Sequence, residues 1–444
     1  MKTRFIFIAC IIGFCIIIKC VREISYYFYT QNIGNTVPLN VSVSENVEYT
    51  NGMYTLFLDV SNMKPDVATI PLSMLVEYCS LVQLEYNEEE FGIFFTTVTE
   101  KYIGVCCSQR EAYQIIDQML KRSRKREFYK LFDRSGKFLC NLEQTETVHV
   151  YSGRQITDDI IDDKNELIYL AASGNKILVY NTSGQFVKNI IAPYMLVKPK
   201  LFLYDNILTV LHITTFSNVG EKAMMLQFDV NTVELVNELM PPEHLILRRP
   251  TDGIIYSRRN TQGVIDCGLR YHHSRRSARD TLYRFDGLNN MILPVFTTTY
   301  SSARFPRYKP YSIRLNKDLI LSAIWYEGLI ATDLKSKTSS WVRFKNDYYG
   351  NMYLSDFLWQ DSDDFRNGYY VRNITQKRLI YQINERLSEK GCTENDRMAL
   401  KKMMSNLKKW NNNNNVIFLG KLKRETKFWY YENGTLPLDM YKNK

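Results

Sequence analysis

LFDRSGKFLCNL, from Leu131 to Leu142, returns as VYNTSGQFVKNI from Val179 to Ile190 and, more loosely, as QFDVNTVELVNE from Gln227 to Glu238. Aligning the copies puts Phe132, Tyr180 and Phe228 at intervals of 48 residues, and the pattern resumes at Phe285 after 57 and at Thr332 after a further 47. An acid or amide follows each aligned position: Asp133, Asn181, Asp229, Asp286 and Asp333. Each copy reads as a strand, a tight turn and a returning strand, because apolar residues alternate on both arms and Gly136 or Gly184 can supply the positive φ of a short hairpin. A lone hairpin cannot bury both of its faces. Repeated units of roughly 40 to 50 residues built from short strands therefore predict an all-β fold, a β-propeller whose four-stranded blades pack face to face around an axis.

Five aligned hairpins leave sequence for one more blade, so six blades are expected, with seven as the alternative. Upstream, TLFLDV (Thr55 to Val60) and EFGIFFTTVTEKYIGVCC (Glu90 to Cys107) are rich in aromatic and β-branched residues and read as strands. Downstream, VIFLGKLK (Val416 to Lys423) alternates like a strand but has no local partner. An open ring would leave two unpaired edges, so this segment is assigned to ring closure with the other end of the chain. A helical insertion is expected over 375–410. Leu379, Ile380, Ile383 and Leu387 form one stripe, Met398, Met403, Met404 and Leu407 a second, and Thr393 with Asp396 offers an N-cap. The expected layout is a leader over 1–20, a polar tether over 21–51, a propeller over 52–430 and a tail over 431–444.

The order of these parts carries a resemblance. An apolar leader runs up to a cysteine; PLSMLVEYCSLVQLEYNEE (Pro71 to Glu89) suggests a short helix and then a strand. IIDDKNELIYLAASGNKILVYNTSGQFVKNI (Ile160 to Ile190) looks like a complete blade, and a helical pair leads through the Asn411 to Asn415 run into VIFLGKLK. Over most of residues 45–423 the chain resembles the six-bladed β-propeller proteins of Bacteroidetes bacteria, chiefly exported lipoproteins of unknown activity. The resemblance implies architecture and location more than chemistry.

The leader begins MKTRF, with Lys2 and Arg4 as a basic start, and continues with an apolar core from Ile6 to Ile18, the length of a secretory signal. Export to the cell envelope is therefore expected, with membrane attachment through the leader or a lipid. Cys20 is the candidate lipid attachment site; Lys19, just before it, departs from the small residue that lipoprotein processing prefers, which keeps an ordinary signal or an uncleaved anchor open. Six further cysteines, Cys79, Cys106, Cys107, Cys140, Cys267 and Cys392, have irregular spacing with no CxxC pair, which reads as buried free thiols. The net charge of +10 is concentrated in KRSRKR (Lys121 to Arg126) and RYHHSRRSAR (Arg270 to Arg279). The second cluster fills the extra residues of the 57-residue interval. A loop lengthened on one face of a ring is a place for ligand contacts, so Arg270, His272, His273, Arg275 and Arg276 are candidate binding residues. An exposed polar loop is the plainer reading of the same residues.

Catalytic patterns are sparse. The five histidines show no HExxH or HxH arrangement, His212 lies in an apolar strand, and no GxSxG elbow, Walker loop or dinucleotide fingerprint occurs. Asp158/Asp159, Asp162/Asp163 and Asp363/Asp364 read as turn residues rather than a metal site. No cofactor and no metal are expected. The expected function is a non-enzymatic scaffold, acting as a monomer, that binds an envelope protein or glycan and no nucleic acid. An enzyme, a lyase or hydrolase with its site at the axial channel, is the alternative, because such a site is assembled from several blades and leaves no linear motif.

Overall fold

A computed structural model describes residues 47–58, 67–85, 91–109, 127–142, 156–172, 174–212, 223–240, 253–259, 265–271, 281–286, 291–300, 311–324, 328–354, 365–410 and 415–424. Four N-terminal strands come first: β1 (Val47–Thr50), β2 (Met53–Leu58), β3 (Val67–Pro71) and β4 (Ser80–Gln83). Blade 1 is β5 (Phe91–Val98), β6 (Tyr102–Gln109), β7 (Glu127–Asp133) and β8 (Phe138–Asn141). Blade 2 is β9 (Ile156–Asp162), β10 (Leu167–Ala172), β11 (Gly174–Asn181) and β12 (Phe186–Leu196). Blade 3 is β13 (Lys200–Tyr204), β14 (Ile207–Leu211), β15 (Met225–Asp229) and β16 (Leu235–Leu239). Blade 4 is β17 (Gly253–Arg259), β18 (Ile265–Tyr271), β19 (Leu282–Asp286) and β20 (Met291–Tyr300). Blade 5 is β21 (Tyr311–Arg314), β22 (Leu319–Ile324), β23 (Gly328–Asp333), β24 (Thr338–Asn346) and the short β25 (Met352–Tyr353). Blade 6 is β26 (Phe365–Arg366), β27 (Tyr369–Thr375) and β28 (Asn415–Lys421), with α1 (Gln376–Ser388) and α2 (Glu394–Lys409) inserted before β28. The fold is a six-bladed β-propeller.

The aligned residues occupy one ladder position in successive blades. Phe132, Tyr180 and Phe228 each stand next to last on the third strand, opposite Ile103, Ile168 and Leu208, and each is 1 % exposed. A register shift in the pairing with the fourth strand falls just before each of them, which turns the ring inward between blades. Phe132 then meets Phe138, and Tyr180 meets Phe186, edge to face at 5.7 Å in both cases. The following acid or amide organises the turn. Oδ1 of Asp133 accepts from the Ser135 and Lys137 N–H groups at 2.8 and 3.0 Å, and Oδ1 of Asn181 accepts from Ser183 and Gln185 at 3.1 and 2.9 Å. Gly136 and Gly184 take φ of 90° and 89° in these turns; in blades 3 and 5 Val233 and Lys337 take φ of 65° and 59° instead. A Cβ on Gly136 would lie 2.0 Å from the Gln83 carbonyl oxygen, so this glycine is also required by the seam between blades 1 and 6.

Ring closure uses both ends of the chain. β28 pairs antiparallel with β27 on one side and with β4 on the other, Ile417 facing Val82, so the downstream strand is the third of blade 6 and the N-terminal β4 is its outermost. Before reaching that place the chain crosses the neighbouring outer walls. β2 adds in parallel to β20 of blade 4, and β3 in parallel to β24 of blade 5. Thr55 to Leu58 of the upstream TLFLDV stretch are thus in a strand, but one added to the edge of blade 4 rather than part of a blade of its own; Asp59 and Val60 lie outside the described residues.

The helices follow the expected spacing with one exception. Leu379 and Ile383 are fully buried, Thr375 caps α1, and Thr393 with Asp396 forms a complete capping box on α2. Met398 is 57 % exposed; Leu400, Met403 and Leu407 supply the buried stripe. Helical periodicity from Met403 reaches Leu400 three residues back, and position 398 falls off that face. The pair packs in one core with blades 5 and 6. No helix among the described residues is long and apolar enough to cross a membrane.

Candidate functional site at the axial mouth

In an antiparallel blade the first-to-second and third-to-fourth turns share one face of the ring, and the remaining connections lie on the other. On the turn face a cavity of about 340 Å³ opens. Its wall takes Val98, Thr99 and Glu100 from blade 1, Ile160, Ile161 and Asp163 from blade 2, and Leu201, Phe202 and Leu203 from blade 3. Asn367, Gly368, Tyr369 and Lys421 come from blade 6, with Glu77, Leu422 and Arg424 beside them. The inner strands give the apolar floor, since residues of the first strand of each blade face the axis. The turns give the charged rim.

Lys421 Nζ donates to Glu100 Oε1 at 2.6 Å; that bond holds the Glu100 carboxyl below its ordinary pKa and the Lys421 ammonium above its own. Burial first, and then the nearby Glu100, push the Tyr369 hydroxyl up. Asp163 is consumed by the rim itself, accepting from Thr99 Oγ1 at 2.6 Å and from the Lys101 N–H at 3.2 Å. Glu77 and Arg424 are exposed.

One residue inward on the same strands lies a buried charge cluster. Asp158 and Asp159, on β9, are 7 % and 1 % exposed, and Arg366, on β26, is 8 % exposed. Blade 1 stands between blades 6 and 2, so Arg366 reaches across the axial opening to meet them. Its Nη2 donates to Asp158 Oδ1, to Asp159 Oδ1 at 2.6 Å and to the Asp159 carbonyl at 3.3 Å. Its guanidinium carbon sits 4.7 Å from the Phe95 ring centroid. Thr97 Oγ1 donates to Asp159 Oδ1 at 2.5 Å, Tyr129 Oη donates to Asp159 Oδ2, and the Leu201 N–H donates to Asp158 Oδ2 at 2.8 Å. Lys200 Nζ lies 3.9 Å from Asp158 Oδ1. Burial, partly offset by Arg366, raises the Asp159 pKa, and burial together with Asp159 raises that of Tyr129 well above the ordinary phenol.

The expectation that Asp158/Asp159 form a turn is corrected by this arrangement. They sit within a strand and point into the ring; only Asp162 and Asp163 behave as turn residues, Asp162 Oδ1 accepting from Lys164 and Asn165 N–H groups at 3.0 and 3.2 Å. Asp363 and Asp364 lie outside the described residues. His212 is fully buried, its Nε2 donating to the Ala223 carbonyl at 2.5 Å, so it belongs to the core. Lys130, unremarked in the sequence, is 4 % exposed in β7, and burial lowers its pKa to about 8. Cys79, Cys106, Cys140, Cys267 and Cys392 are free thiols, with burial pushing Cys79 and Cys267 up to about 12. No group of three or more potential ligating side chains could hold a metal among the described residues.

Of the residues proposed for ligand contact, Arg270 lies on β18, and His272, His273, Arg275 and Arg276 fall outside the described residues, as does Cys20. The Lys121 to Arg126 cluster is also outside the described residues.

No known protein family matches the sequence, and no curated protein does. Among solved structures, the extracellular domain of a hybrid two-component system, BT4673 from B. thetaiotaomicron, is similar at 12 % identity and a TM-score of 0.36, over 60 % of this chain and 29 % of that one. The WD40 propeller domain of Doa1 is similar at 9 % identity and a TM-score of 0.30, over 55 % of this chain and 61 % of that one. Hydrazine synthase of Kuenenia stuttgartiensis is similar at 10 % identity and a TM-score of 0.34, over 57 % of this chain and 78 % of that one. The chain thus spans less than two thirds of the first two structures it resembles.

Proposed function

We propose that this chain is an exported, envelope-associated propeller that acts as a non-enzymatic binding scaffold and takes its ligand at the axial mouth. One observation carries the reading: the axial carboxylates are already bonded to Arg366, Tyr129 and Thr97, while the cavity beside them presents an apolar floor under a rim of both charge signs. A general acid or base needs a proton it can exchange with a substrate within hydrogen-bond reach. Carboxylates already engaged by Arg366, Tyr129 and Thr97 are not poised for that exchange. Export rests on the basic and apolar leader, and anchoring on that leader or on Cys20. The segment with Arg270, His272, His273, Arg275 and Arg276 would serve as a second contact. The ligand class is an envelope protein or glycan.

The test compares the wild type with a double charge reversal of two exposed rim residues, Glu77→Lys with Arg424→Glu, on a glycan array and in pull-downs from membranes. A ligand captured by the wild type and lost by the variant supports the mouth. Equal capture by both overturns it, and empty results on both platforms overturn the binding function. Mass spectrometry of the mature N-terminus checks the anchor: an acylated Cys20 is expected, and an unmodified cysteine or cleavage beyond it would overturn lipid attachment.

A further inference from the structure

The Asp158/Asp159 pair is built around a cation. Two carboxylates converge on one guanidinium nitrogen, Nη2 of Arg366, the Phe95 ring lies 4.7 Å from the guanidinium carbon, and Tyr129 and Thr97 hold the carboxylate of Asp159 in place. The group seated there comes from the chain itself. Arg366 stands on β26, a strand of only two residues, and the next two residues, Asn367 and Gly368, form a tight turn with φ of 52° and 81° that lines the mouth. Ile160, next to Asp159, lines the same cavity. The cavity is therefore bounded by the hairpin that carries Arg366 and by the strand neighbour of Asp159, while the three charged side chains lie beside it and do not line it.

We infer that Asp158 and Asp159 form a guanidinium-binding subsite adjoining the mouth, that Arg366 fills it as a displaceable plug, and that the ligand it excludes carries a guanidinium group. This rests on the mouth being the ligand site and names the chemistry of a pocket adjoining it. Removing Arg366 with nothing in its place would strand two buried carboxylates, which is strongly unfavourable. Replacing it by an incoming guanidinium conserves every ion pair and hydrogen bond, and the released arginine regains hydration at the rim. The exchange is close to balanced in contacts, so self-occupation lowers apparent affinity by the fraction of molecules in which the plug is seated. An ammonium could meet both carboxylates as Nη2 does, so the preference for a guanidinium rests on the contact of its delocalised group with the Phe95 ring.

Calorimetric titration of the full chain with butylguanidinium and butylammonium tests the plug. The Arg366→Ala variant is expected to bind butylguanidinium at least about ten-fold more tightly than the wild type, to prefer it over butylammonium, and to lose that gain when Asp159→Asn is added. Affinity in Arg366→Ala no greater than in the wild type, or a gain that survives Asp159→Asn, overturns the subsite. Should Arg366→Ala not fold alone, refolding in butylguanidinium but not in butylammonium supports the subsite, and no rescue by either overturns it. The two readings fail separately. Loss of capture in the rim variant with no gain in Arg366→Ala leaves the mouth standing without the plug, and a gain in Arg366→Ala with an unaffected rim variant does the reverse.

Discussion

Phe132, Tyr180 and Phe228 fill the same wedge in consecutive blades, and truncating any one of them leaves a cavity that the surrounding strands cannot collapse to fill. Phe132→Ala is expected to cost about 3–5 kcal/mol, read as a shift of the urea midpoint at unchanged slope. Asp159 gives a pH signature. Its pKa is raised in the folded chain, so the folded state holds the proton more tightly than the unfolded one. The sign follows: the cost of Asp159 is absent below the ordinary carboxylate pKa, grows as pH rises from there to the folded value, and is constant above it. Urea midpoints measured from acid to neutral pH should fall less in Asp159→Asn than in the wild type across that window, and parallel profiles would contradict the assignment. At this scale the aligned aromatics and their turn acids were legible because they recur. Asp158 and Asp159 were not. Asp is depleted in strands, so an Asp pair reads as a turn, and its partner Arg366 lies 208 residues away from Asp158 with no local pattern to announce it.

Elements were legible where their own periodicity speaks. The helical pair follows from apolar spacing and from Thr393 with Asp396, and that capping box makes its own prediction: Thr393→Ala should destabilise the chain by about 0.5–2 kcal/mol, measured by thermal or urea unfolding. The parallel additions of β2 to β20 and β3 to β24 were not legible, since each strand's partner lies more than two hundred residues away and alternation names a strand without naming its neighbour. Gly136 is a case where turn and seam coincide. Gly136→Ala meets both a positive φ and the Gln83 carbonyl, so it should destabilise more than Gly52→Ala, whose φ of 82° is similar but whose Cβ would meet open space; paired urea titrations decide this.

Across the whole molecule, the count of six blades followed from one repeat interval, whereas the cavity and the Arg366 cluster beside it arise only when strands of blades 1, 2, 3 and 6 converge. No single segment contains them. The ring is held shut by the pairing of β4 with β28, so a proline in place of Val82, opposite Ile417, should open blade 6. Hydrogen exchange is expected to show lost protection along β28 and along β5 of the adjoining blade 1 in Val82→Pro, with blade 3 affected least. Uniform loss around the ring would mean that closure and global unfolding are one event.

The pairing of β4 with β28 also sets a timetable for biosynthesis. Partners separated by more than three hundred residues cannot meet until β28 itself has been made, so blades 1 to 5 can emerge and form while β4 still waits for its place. During that interval an apolar strand edge stays unsatisfied on the nascent chain, which makes the delay before the circle shuts the period in which chaperone protection matters most.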